Sequence, residues 1–185
     1  MTSTSNLRLL ILLGLIVAAA ATRLIEHPWN FAPVTAIALL GGACFSRPWH
    51  AFAVCLTVML LSDLLLSLRP EVPLFYPDVV FVYAAFGIVV AMGLPLRRHR
   101  RLLPVAAMAL LASCQFFLTT NLGVWLVGGL YPRTLAGLGE CYIAAIPFFR
   151  NALAGDLLFT LGLFGIYALA RRAVPGPERH PAAAE

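Results

Sequence analysis

Apolar runs alternate along this chain with short polar breaks rich in proline and arginine, and the alternation divides it into six spans. They cover residues 7–21, 33–45, 49–68, 79–94, 103–127 and 150–170. A helix crossing a bilayer upright needs about 20 apolar residues, and the second run falls well short of that. It must begin below the membrane surface, which draws the polar stretch before it inward. The segment RLIEHPWNFAPVTAIALLGGACF (23–45) therefore organises the rest. Irregular backbone at membrane depth has to line a cavity or be buried in protein. Pro33 suits the first turn of the short helix, and Gly41-Gly42 permits close packing or a bend.

Two further breaks are too elaborate for plain loops. RPEVPLFYPD (69–78) holds three prolines, two carboxylates and two aromatics, and reads as an ordered cap. Residues 128–149, containing YPRTLAGLGECYIAAIPFF, are too apolar for a free loop and are expected to form an interfacial or re-entrant helix.

Composition agrees with the pattern. The chain is 61% hydrophobic and 11% charged, whereas soluble domains are about a quarter charged. The expected fold class is an all-α integral membrane protein of six transmembrane helices with structured outer loops. Residues 1–172 form one transmembrane domain, and the Pro/Ala-rich stretch 173–185 a disordered cytoplasmic tail. Residues 1–22 also carry features of a signal peptide, but the even number of spans favours a retained first helix.

All thirteen basic residues are arginine, and their placement is topological, which sets nucleic acid aside as a partner. With six spans, nine arginines fall on the side of the termini and four on the other, among Glu26, Glu71, Asp78 and Glu140. The positive-inside rule then places both termini in the cytoplasm. Segments 23–32, 69–78 and 128–149 all face outward, as three loops over one pocket.

Asp63 and Asp156 lie inside spans, where a charge needs a partner or a function. A bland reading gives each a polar partner on another helix. Gln115, Thr119, Thr120 and Asn121 form a polar cluster in the fifth span, and Asn121 and Asn151 are amides near the outer ends of the fifth and sixth. Trp125, Tyr131 and Arg150 share that layer, although an interfacial aromatic belt also supplies Trp and Tyr there. His27, before Pro28, stands without a second metal ligand at fixed spacing. No metal, cofactor or catalytic set is expected. The four cysteines lack CxxC spacing and read as small packed hydrophobes.

At HPWNFAPVTAIALLGG, SDLLLSL and TTNLGVWLVGGLYPRTLAGLGECYIAAIPFFRNALAGDLLFT the chain resembles an uncharacterised family of small bacterial membrane proteins. Trp29 stands where a second proline is commoner in that pattern. The family in turn looks like the S components of energy-coupling-factor (ECF) vitamin transporters. Those are six-helix proteins with a loop-covered outer pocket, working with a transmembrane coupling subunit and ATPases. The resemblance implies docking through small residues of the first and third helices, for which Gly14 and Ala18 are suited. Solitary vitamin B12 (cobalamin) transporters are related proteins in which an outer cysteine is thought to ligand cobalt. Here the outer 69–78 loop carries Asp78 and no cysteine, which leaves Cys141 as the outward thiol.

These readings combine into a non-enzymatic inner-membrane uptake protein for a vitamin-like molecule. Its pocket residues are expected to be Arg23, His27, Trp29, Asn30, Tyr76, Asn121, Trp125, Tyr131, Arg150 and Asn151, with Asp63 and Asp156 as deeper supports. The alternative is an assembly protein that binds a partner through its outer loops.

Overall fold

The computed structural model describes residues 4–25 and 30–173. Six α-helices follow in order: α1 (Thr4–Ala21), α2 (Val34–Cys44), α3 (Pro48–Leu66), α4 (Val79–Gly93), α5 (Leu102–Val127) and α6 (Leu135–Ala173). Single 3-10 turns extend α1 over Thr22–Leu24 and α4 over Leu94–Arg97. There is no strand among the described residues. With their turns, α1, α3, α4, α5 and α6 are long and apolar enough to cross a membrane. Leucines stud their outer faces, for example Leu60, Leu61, Leu64 and Leu65 on α3, as suits contact with lipid.

The exception is α2. Its 11 residues rise only about 16 Å, and Thr35 through Ala43 are all buried. It is the axis of the bundle, in contact with the other five helices. Small residues make that possible. A Cβ added to Gly42 would collide with the Val90 carbonyl and lie 2.9 Å from the Gly93 Cα. One added to Gly41 would overlap the sulfur of Cys55, whose thiol donates to the Ile37 carbonyl at 3.7 Å.

A helix that ends inside a bundle leaves carbonyls that lipid cannot satisfy. Two arginines from the 97–101 cluster answer this at the C-terminal end of α2. Arg97 Nε donates to the Gly42 carbonyl at 3.0 Å and Arg100 Nη2 to the Ala43 carbonyl at 2.6 Å. Their positive charge also meets the negative end of the α2 dipole. The cluster read from sequence as a topology signal is thus also a helix cap.

The expectation for residues 128–149 needs correction. Residues 128–134 make a turn, with Gly129 at φ 71°, and α6 then runs unbroken through 39 residues. That is roughly 58 Å, against about 30 Å of hydrocarbon. Its first third packs on α5. Tyr142 donates to the Leu118 carbonyl at 2.8 Å, the Cys141 thiol to the Asn121 carbonyl at 3.5 Å, and Phe117 stacks between Tyr142 and Phe149. The segment is apolar because a second helix covers it, so no re-entrant fold is required. Pro147 lies inside α6 and removes one amide donor without ending the helix. The expected tail lies outside the described residues, apart from Ala173, which ends α6.

Candidate ligand-binding cavity

The C-terminal ends of α1, α3 and α5 and the N-terminal parts of α2, α4 and α6 surround a cavity of about 920 Å³. It lies at the end of the bundle away from the start of α1 and the end of α6. The short α2 is the reason for it: a full-length helix there would fill the space.

One wall is an ion-pair network on three helices. Arg23, in the turn after α1, donates Nη2 to Asp63 Oδ1 at 2.7 Å. Its Nη1 donates to the Ser62 hydroxyl and lies 3.5 Å from the Met59 sulfur. The Tyr83 hydroxyl of α4 donates to Asp63 Oδ2 at 2.7 Å. Both oxygens of Asp63 are therefore engaged. The carboxylate fastens α1, α3 and α4 together, and Arg23 rather than Asp63 faces the cavity. Arg69 crosses the same corner to the Leu24 carbonyl at 2.6 Å.

The floor is Asp156 of α6, 5% exposed. The Ser113 hydroxyl of α5 reaches its Oδ2 at 2.6 Å, and the Thr35 side chain bonds it from the first turn of α2. Among the described residues Asp156 forms no ion pair, and its partners are hydroxyls on two other helices. Its carboxylate stands at the N-terminus of α2, where no side chain of the preceding Pro33 caps the helix. Negative charge is favourable there. The short helix thus has an acid at its N-terminal end and two arginines at its C-terminal end.

The side walls are aromatic: Phe116 and Phe117 from α5, Phe148 and Phe149 from α6. At the rim stand Asn30, with a left-handed φ of 60°, and Tyr76 and Asp78 of the 67–78 connection. Burial, then the nearby Asp63 and Asp78 charges, push the Tyr76 hydroxyl up to about 12, against an opposing pull from Arg23. At neutral pH it is therefore a hydrogen-bond donor.

Of the residues singled out from sequence, Arg23, Asn30, Tyr76, Asn121 and Asp156 line this space. His27 and Trp29 lie outside the described residues. Trp125 turns away and donates to the Pro132 carbonyl at 2.9 Å, and Tyr131 sits in that same turn. Arg150 and Asn151 are exposed on the outer face of α6. Helical rotation explains the last two: Ala145, Phe148, Phe149, Ala152 and Asp156 follow the i, i+3/4 spacing of one face, and positions 150 and 151 fall on the other.

Sequence reasoning missed Thr35, Arg69, Ser113 and the phenylalanines, and named Thr120 and Asp78 without placing them in the pocket. A signal for the α5 set was present. Ser113, Phe116, Phe117, Thr120, Asn121 and Val124 repeat at helical spacing and mark one face. Thr35 and Arg69 had no such signal. None of the four cysteines lines the cavity: Cys141 packs against α5, Cys55 against α2, Cys44 ends α2, and Cys114 is exposed on α5. Among the described residues no group of three or more His, Cys, Asp or Glu could hold a metal ion.

A family model described as a family of unknown function (DUF6580) matches residues 3–179, and the chain belongs to that family. No curated protein and no solved structure matches it.

Proposed function

We propose that this DUF6580 member is a substrate-binding or uptake protein for a small water-soluble micronutrient of vitamin size, held in the cavity described above. The observation that carries the reading is convergence. Arg23, Asn30, Tyr76, Asn121 and Asp156 come from four separate segments and meet around one space. Its volume falls within the range of about 300–1,000 Å³ common to small-molecule sites. Phenylalanine walls with a few placed polar groups suit a flat or ring-bearing ligand with polar edges.

The sidedness belongs to the same proposal. Arginine-rich connections lie at the end of the termini, so the positive-inside rule puts that end in the cytoplasm and opens the cavity outward across a bacterial inner membrane. Gly14 and Ala18 are exposed on α1, and a Cβ on Gly14 would meet no atom within 4 Å. That face suits a helix of an ECF-type coupling subunit with its ATPases. Cobalamin belongs among the candidate vitamins, but as a ligand held without a cobalt–thiolate bond.

The alternative, assembly through the outer connections, draws on Phe75 and Leu68, which are strongly exposed. It leaves the inward-facing polar set without a purpose.

Native mass spectrometry of the full-length protein, as purified and after incubation with a panel of water-soluble vitamins, tests the reading. The expected result is a retained vitamin-sized molecule, lost with Asn121→Ala and with Phe149→Ala. Arg150→Ala and Asn151→Ala, outside the cavity, should retain it. Binding of no vitamin, with a specific membrane protein held through residues 67–78, would replace this function with the assembly role.

A further inference from the structure

At the opposite end of the bundle lies a second, smaller cavity of about 270 Å³, lined by Arg100, Phe164, Tyr167, Ala168, Arg171 and Arg172. Three guanidinium groups share it. The acidic residues among those described all sit elsewhere: Asp63, Glu71, Asp78, Glu140 and Asp156 belong to the large cavity and its rim or to the start of α6. Arg100, Arg171 and Arg172 form no ion pair with any described residue; the ion pair among the described residues joins Arg23 to Asp63.

Arg100 is held in place by its bond to the Ala43 carbonyl, and its Nε is buried without a hydrogen-bond partner. Arg171 lies 6.0 Å above the Tyr167 ring, and Tyr167 and Phe164 are buried in the core behind. Positive charge therefore gathers around an apolar-backed recess at one level of the bundle. Like charges brought together in this way repel unless an anion joins them.

We propose that this recess binds the phosphate of an anionic phospholipid, with Arg100, Arg171 and Arg172 around the headgroup and an acyl chain against Phe164 and Ala168. Charge complementarity names the phosphate, and the apolar wall names the lipid over a soluble anion. Basic recesses between helices at a membrane surface are suited to such headgroups. The site is separate from the large cavity and does not depend on what that cavity holds.

The test uses the full-length protein in nanodiscs and in detergent with added lipid. Native mass spectrometry compares retention of phosphatidylglycerol with phosphatidylcholine. Wild type should hold phosphatidylglycerol preferentially, with retention falling about fivefold for each of Arg171→Gln and Arg172→Gln. Arg171→Lys should recover part of the loss. Both positions are exposed, so these variants should fold even where Arg100→Gln, which also uncaps α2, does not. Millimolar inorganic phosphate should leave the lipid bound. Equal retention of the two lipids, or variants that match wild type, would overturn the proposal. Displacement by inorganic phosphate would reassign the recess to a soluble anion and overturn the lipid assignment.

Discussion

Gly42 of α2 and Gly93 of α4 meet backbone to backbone: a Cβ on Gly93 would lie 2.6 Å from the Leu39 carbonyl oxygen and 3.0 Å from the Gly42 Cα. No flexible side chain is available to yield. Small residues at helix crossings in membranes allow this kind of approach, and here they let a helix of three turns act as the centre of the bundle. Gly42→Ala should therefore force the two helices apart at a cost of about 1–3 kcal/mol. Gly14→Ala, which meets open space, should be close to neutral. Thermal unfolding of the purified variants compares them directly, and equal losses at both positions would contradict the close approach.

The Arg23–Asp63–Tyr83 network is expected to behave as one unit. Asp63→Ala leaves a guanidinium without its partner in a largely buried site, and should cost about 3–5 kcal/mol. Arg23→Gln together with Asp63→Asn should cost less than the two single changes added, by about 0.5–3 kcal/mol. Chemical unfolding of the four-member mutant cycle reads this coupling; strict additivity would show that the groups act independently.

The arginine caps predict a difference within a single charge cluster. Arg97→Ala removes a charge-assisted bond to the Gly42 carbonyl and should destabilise by about 1.5–3 kcal/mol. Arg98→Ala, at an exposed neighbour, should remain within about 0.5 kcal/mol of wild type. If the cluster served topology alone, the two would be alike in stability and would differ only in insertion, which a glycosylation- or protease-accessibility assay reads separately.

At the cavity floor, Asp156→Ala leaves the buried Ser113 and Thr35 hydroxyls without their shared acceptor, for a loss of about 1–3 kcal/mol. Asp156→Asn keeps an acceptor oxygen and should lose less. Ser113→Ala removes one of the two hydroxyl donors to Asp156 and leaves that of Thr35, so it should also lose less than Asp156→Ala. Ranking the three variants by melting temperature checks the arrangement; an Asn variant as damaging as the Ala variant would assign the effect to the charge facing α2.

Pro147 gives a prediction of opposite sign. It deprives the Ile143 carbonyl of its helical donor, so Pro147→Ala should stabilise α6 by up to about 3 kcal/mol. Slower amide hydrogen exchange around positions 143–151 would accompany that gain. A loss of stability instead would show that the packing of the Pro147 ring outweighs the missing hydrogen bond.

What the sequence by itself determined was the solvent and the scaffold. Apolar runs of membrane length can be stable only in lipid or a dry core, so the class and the approximate places of the first five helices follow from local composition. The shortness of the 33–45 run was legible for the same reason, and the arginine distribution put the 69–78 segment at the end of the bundle where Tyr76 and Asp78 now line the cavity. Arg23, Asn30, Tyr76, Asn121 and Asp156 could be picked out because polar groups in or beside apolar runs are few and costly. Only the tertiary structure decided which of these groups face one another. Helical phase separates Arg150 and Asn151 from Phe149 and Asp156, although all four are close in the chain. A covering neighbour, α5, turns the apolar 135–149 stretch into part of a long helix. Partners distant in sequence, such as Arg97 with Gly42 and Thr35 with Asp156, fix the ends of α2, and no local pattern encodes which side chains will meet across a bundle.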